Sequence, residues 1–243
     1  MTGKKNKSLK ITLIVIASLL VIIGIAIGIY LGTYYRAQNV ENYLTSSEVV
    51  TVTQEGGICY FDGPGEDTAF IFYPGAKVEY TAYAPIMYKL AEEGIDCFIV
   101  KMPGNLAMLG KDKASDIIGN YNYNEWYIGG HSLGGYVATT YANEHRSEVT
   151  GVILLAAFAM DDMSDSSLKI LSIYGDKDGI LSMEKIENGR ELMPSTYEEV
   201  VIEGGNHSQM GSYGFQKDDN SATITLEQQH DAVVNNILAF VKG

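Results

Sequence analysis

The chain has 243 residues, 46% hydrophobic and 19% charged, enough to bury a sizeable core and too apolar for wholesale disorder. A formal charge of −13, from 30 acidic against 17 basic residues, excludes the basic face that a nucleic-acid binder needs. The two cysteines, Cys59 and Cys97, cannot build a disulfide framework or a four-thiolate zinc site. Their settings, GICYF and DCFIV, read as buried strand positions.

Residues 11–35 carry no charge and consist mainly of Ile, Leu, Val, Ala and Gly. Such a run is long enough to cross the hydrocarbon core of a bilayer, about 30 Å thick. Lys4, Lys5, Lys7 and Lys10 precede it and Arg36 follows. Beyond position 36, 12 basic residues face 30 acidic ones, a formal −18. The positive-inside rule therefore predicts a basic cytoplasmic tail (1–10), a single-pass signal-anchor (11–35) in the cell membrane, and everything later outside the cytoplasm. A cleavable signal peptide would have a shorter apolar region ending in an A-x-A-like site, which Ala26-Ile27-Gly28 imitates poorly.

Residues 36–48 are polar and read as a short stalk or helix. After them come eight short β-branched or aromatic runs, at 49–53, 57–63, 69–75, 95–100, 125–130, 151–158, 169–175 and 198–204. The first two, separated around Gly56-Gly57, suggest an antiparallel hairpin. From the third run onward, helix-like segments intervene at 79–93, 104–119, 133–146, 183–192 and 225–242. Strands alternating with helices predict an α/β domain over 49–243, with a mostly parallel sheet and helices on both faces. Roughly nine residues separate the sixth run from the seventh, too few for a normal crossover helix, so no cap domain is expected there.

Gly130-His131-Ser132-Leu133-Gly134, within GGHSLGG at 129–135, lies between a strand and a helix and fits G-x-S-x-G. A serine on a tight strand-to-helix turn needs small neighbours two positions away on either side. The turn exposes its hydroxyl and aims a helix N-terminus at developing negative charge. Of the four histidines that could serve as base, His131 adjoins the serine and would point away, while His145 and His230 read as solvated helix positions. His207, in GGNHS after the last strand, is the expected base. Its orienting carboxylate would come from Gly175-Asp176-Lys177-Asp178-Gly179. Either aspartate can serve, the other bonding the turn, with Asp161 and Asp162 as the fallback. The oxyanion donors would be the backbone amides of Leu133 and, from Tyr73-Pro74-Gly75-Ala76-Lys77, of Ala76.

With YPG at 73–75, GGHSLGG at 129–135, YGDKDG at 174–179 and GGNHSQMGSYG at 204–214, the chain resembles the α/β-hydrolase family. More narrowly, it is similar to its small capless bacterial branch, dienelactone-hydrolase-like and esterase-like. The resemblance covers roughly residues 49–243 and implies an eight-stranded sheet with only its second strand antiparallel. The family's G-x-x-D pattern, mapped onto Gly175-Asp176-Lys177-Asp178, implies Asp178 as the acid. Two departures stand out: serine occupies the position where dienelactone hydrolases carry cysteine, and Tyr73-Pro74-Gly75 replaces the usual His-Gly of the oxyanion loop.

The expectation is a membrane-anchored, extracytoplasmic serine hydrolase that cleaves a carboxylic ester or related acyl bond through Ser132, Asp178 and His207. Its partner would be a small-molecule or polymer-borne acyl substrate. No cofactor or metal is expected, since no H-x-x-H, CxxC or phosphate-binding loop is present. The same triad would serve an acyltransferase or peptidase, and the fold could also carry a non-catalytic ligand-binding module. Tyr80, Tyr83, Tyr88 and Met210 could line the site, although packing is the commoner fate of such residues.

Overall fold

The structure, a computed structural model, describes residues 2–243, with side chains from Lys10 onward. Met1 and the side chains of Lys4, Lys5 and Lys7 in the basic tail lie outside the described residues. The chain divides into two units, Met1–Tyr34 and Tyr35–Gly243.

The first unit is built on one helix, α1 (Thr2–Gly32). Its segment Lys10–Gly32 has 23 residues, none of them buried inside the protein. At 1.5 Å per residue it extends about 35 Å, long enough to cross a bilayer. Ile14, Leu20 and Ile29 are among the large side chains it exposes. A helix apolar on every side suits lipid better than water. A signal sequence meets the same criteria of length and composition.

The second unit holds a single eight-stranded sheet: β1 (Thr51–Glu55), β2 (Ile58–Asp62), β3 (Thr68–Tyr73), β4 (Asp96–Val100), β5 (Glu125–His131), β6 (Gly151–Leu155), β7 (Lys169–Gly175) and β8 (Tyr197–Ile202). The order is β1-β2-β4-β3-β5-β6-β7-β8. Only β2 runs against its neighbours. Gly56 (φ 59°) and Gly57 (φ 81°) make the hairpin possible, since a two-residue turn with both central φ values positive disfavours any side chain.

Side chains alternate between the faces of the central strands. Phe70, Phe72, Cys97 and Ile99 pack with α2 (Ala84–Glu92) and α6 (Leu226–Lys242). Ala69, Ile71, Tyr73, Phe98 and Val100 pack with α3 (Lys113–Asn120) and α4 (Leu133–Glu144). Each fully buried Phe or Ile contributes about 1.5–3 kcal/mol of transfer free energy. A sheet covered on both faces in this way places every strand of β3–β7 in the interior, with loops free only at the strand ends. The short helix α5 (Met183–Gly189) follows β7. Between Leu155 and Lys169 the described residues form only bends and turns, so no cap domain is inserted there.

Two expectations need correcting. Residues 36–48, read as a stalk or helix, contain a 3-10 helix (Glu41–Leu44) and pack on the second unit rather than standing apart as a stalk: Tyr35 bridges Val78, Ala37 N–H donates to the Glu79 carboxylate (3.0 Å) and Gln38 N–H to the Ser212 carbonyl (2.8 Å). Val40, Tyr43 and Leu44 give this polar-looking stretch an apolar face, which joins the core beside α2. The helix expected over 104–119 is broken into two 3-10 turns, Pro103–Asn105 and Ala107–Leu109, before α3 starts at Lys113. Asn105 takes a left-handed φ of 54°, Leu106 is extended (φ −127°, ψ 111°) and Gly110 leaves the helical region (φ −143°, ψ 30°), which stops a continuous helix.

Candidate active site

Ser132 sits between β5 and α4 with φ 53° and ψ −122°, outside the regions a non-glycine residue favours. Such strain survives only where the surroundings enforce it. Here Ser132 N–H donates to the Leu155 carbonyl (3.0 Å), and the Ser132 carbonyl accepts from Tyr136 N–H (3.2 Å). The flanking glycines are steric requirements. A Cβ on Gly130 would lie 2.3 Å from the Tyr73 carbonyl oxygen, and one on Gly134 only 2.1 Å from the same atom. The loop after β3 is thus pressed against the turn that presents the serine.

His207 and Asp178 meet across the loops that follow β8 and β7. His207 Nδ1 lies 2.8 Å from Asp178 Oδ2, with both side chains almost fully buried. An ionised carboxylate only accepts, so this contact places a ring proton on Nδ1. Asp178 Oδ1 accepts from the amides of Ile180 (2.8 Å) and Leu181 (2.7 Å), which fixes the carboxylate. Asp176 is occupied elsewhere. It accepts from Lys177 Nζ (2.8 Å) and Gly204 N–H (2.6 Å), which hold its carboxyl below the usual range. The two loops come together because Gly175 is bare: a Cβ there would lie 2.1 Å from the Gly205 carbonyl oxygen.

Ser132 and His207 border one cleft of about 460 Å³ with Leu133. His207 Nε2 is buried and has no hydrogen-bond partner, and the Ser132 hydroxyl makes no hydrogen bond to it. Such contacts are often long in unliganded sites and tighten around a reacting group. Leu133 is the first residue of α4, where an amide has no acceptor within the helix. Ala76 does not border this cleft.

The sequence profile of the alpha/beta hydrolase family matches residues 69–231. The chain belongs to that family. Solved structures agree at the level of the fold. Est1E from Butyrivibrio proteoclasticus is 15% identical over 81% of this chain and 100% of its own, with a TM-score of 0.58. TT1662 from Thermus thermophilus is 14% identical over 79% of this chain and 97% of its own, with a TM-score of 0.59. A membrane phospholipase A described as a bacterial virulence factor is 13% identical over 98% of both chains, with a TM-score of 0.62. No curated protein sequence matches significantly.

The hydrolase uses its other histidines differently from one another. His131 is buried; Tyr83 Oη lies 2.9 Å from its Nδ1, and its ring centroid is 4.4 Å from that of His207. Burial, and then the neighbouring His207, keep His131 well below the ordinary imidazole value. Tyr83 Oη also accepts from Gly75 N–H (3.0 Å), so one phenol ties the loop after β3 to the turn at Ser132. His145 stacks on Tyr141 and faces Glu148 at 3.1 Å. His230, expected at the surface, is instead buried on the inner face of α6, and burial lowers it to about 4.

Sequence reasoning missed the groups that brace the loop of His207. Gln229 on α6 accepts from Asn206 N–H (2.9 Å) and donates to the Asn206 carbonyl (2.8 Å). Asp219 accepts from Ser208 N–H (2.8 Å) and Gly179 N–H (2.9 Å), joining the histidine and aspartate loops. Asp161 and Asp162 are engaged by Thr140 and Ser164. None of Tyr80, Tyr83, Tyr88 and Met210 borders the cleft; Tyr136, Phe158, Met160, Ile180 and Leu181 do. Ligand atoms of Asp112, Glu144 and His145 cluster within 4.8 Å, but the Lys111 ammonium pairs with both carboxylates and already supplies the cation.

Proposed function

We propose that this alpha/beta hydrolase is a serine hydrolase that cleaves a carboxylic ester or related acyl bond, held at the outer face of the cell membrane by α1. One observation carries the reading: a strained serine at a helix N-terminus shares a cleft with a histidine already oriented by a buried aspartate. His207 Nε2 would take the Ser132 proton as the hydroxyl attacks the carbonyl, and Asp178 would stabilise the resulting imidazolium. The Leu133 amide would receive the developing oxyanion. Collapse of the tetrahedral intermediate would expel the alcohol with a proton from His207. Water activated by the same nitrogen would then release the acyl group.

The esterase and membrane phospholipase among the structural relatives make acyl substrates the first class to try. The basic residues at the start of α1 and the acidic excess after it support the outward orientation. Hydrolysis of 4-nitrophenyl butyrate by the full chain in neutral detergent tests the reading. Ser132→Ala and His207→Ala should each lower kcat/KM by about 10³-fold or more. Undiminished turnover in folded Ser132→Ala protein would overturn it.

A further inference from the structure

The cleft that holds Ser132 has apolar walls, formed by Leu133, Tyr136, Phe158, Met160, Ile180 and Leu181. Lys185, on α5, is the one Lys, Arg, Asp or Glu that borders it. Its ammonium lies 4.3 Å from the centroid of the Phe158 ring, which holds the charge over the cleft wall. Among the described residues no carboxylate lies within 4 Å of it. Glu184 and Glu187 are one and two residues away on the same helix, spacings that do not bring side chains together. Asp161 and Asp162, on the loop that also supplies Phe158 and Met160, are bonded to Thr140 and Ser164.

The charge around the cleft makes this lysine informative. Beyond position 36 the chain carries a formal −18, a field that repels anions. A neutral substrate needs no cation in an apolar cleft. An anionic one requires a local positive charge, which the solvent-exposed Lys185 supplies beside the cleft.

We infer that the cleft takes esters bearing an anionic group at the end of an apolar segment, and that Lys185 selects them by pairing with that group. The inference rests on the serine-hydrolase reading of the same cleft. A carboxylate on a soluble acyl chain and the phosphate of a lipid headgroup share the required chemistry.

Matched pairs of esters test it with the full chain in neutral detergent. One pair is 4-nitrophenyl hydrogen glutarate against 4-nitrophenyl pentanoate, equal in length and differing in charge. The other is dibutyryl phosphatidylglycerol against dibutyrylglycerol. The wild type should prefer the anionic member of at least one pair by about three- to tenfold in kcat/KM, expressed in KM and weakening with added salt. The preferred pair identifies the source of the anion. Lys185→Met should collapse the ratio toward one, and Lys185→Glu should invert it. A residue that merely covers Phe158 would lower both members of a pair equally, and that result would overturn the inference. So would a wild type that prefers the neutral member of both pairs. Absence of turnover on all four esters would overturn the serine-hydrolase reading itself, and this inference with it.

Discussion

A serine hydroxyl is a poor nucleophile until a base removes its proton, and the base works only if its own tautomer is fixed. In the proposed mechanism the contact between Asp178 and His207 Nδ1 would perform that second task, and His207 Nε2 has no hydrogen-bond partner of its own. The neighbouring Asp176 binds Lys177 and Gly204 and never reaches the ring. Asp178→Asn should therefore lower ester kcat/KM by about 10³-fold or more, because the amide would donate to Nδ1 and impose the wrong tautomer. Asp176→Asn should leave most of the turnover. Assays of the two variants side by side decide the matter, and the reverse pattern would exchange their roles. Short local patterns after strands marked Ser132, His207 and the pair Asp176 and Asp178 as candidates, and the choice of Asp178 came from the family resemblance. Tyr83, Asp219 and Gln229 were not legible. Their contacts span 48, 40 and 23 residues, and nothing local in the sequence marks them.

The strands were legible as elements because β-branched and aromatic runs bounded by glycine leave little alternative, and every one of the eight appears within a few residues of its expected place. Helices were less so. The 104–119 segment has a helical composition, yet Leu106 and Gly110 leave the helical region and interrupt it, and the stretch after Tyr35 is pinned by distant partners that its polar sequence hides. Helix α6 shows the limit most clearly. Its capping box at Thr225 and Gln228 is a local signal. The burial of His230 depends instead on which face of the helix meets the sheet.

That burial has a consequence for acid stability. His230 titrates near 4 in the folded protein, because burial and then the Lys89 ammonium disfavour its charge, against about 6.5 in an unfolded chain. Above pH 6.5 both states are neutral there, so the contribution is fully present. It is lost as pH falls from about 6.5 to about 4, the unfolded chain taking up the proton first; the whole window amounts to about 3 kcal/mol. Buried His131 acts in the same direction. Urea unfolding between pH 7.5 and 4.5 should show a steep loss in the wild type and a shallower one in His230→Gln. Identical slopes would contradict the assignment.

The whole molecule joins two physical problems. Residues Tyr35–Gly243 form an α/β unit whose parallel strands direct the serine and histidine loops to the C-terminal edge of one sheet. The segment Lys10–Gly32 of α1 is long and apolar enough to cross a membrane, as a signal sequence also is. The proposed anchoring would place the enzyme near acyl bonds of the cell envelope, where a cleft without an inserted cap would admit bulky or polymer-borne substrates. The central claim is that Ser132 is activated. Treating the full chain in neutral detergent with a fluorophosphonate and locating the adduct by mass spectrometry tests that claim most directly. One covalent label is expected on Ser132, absent in Ser132→Ala and weakened in His207→Ala. A folded protein left unlabelled, or labelled at another serine, would contradict it.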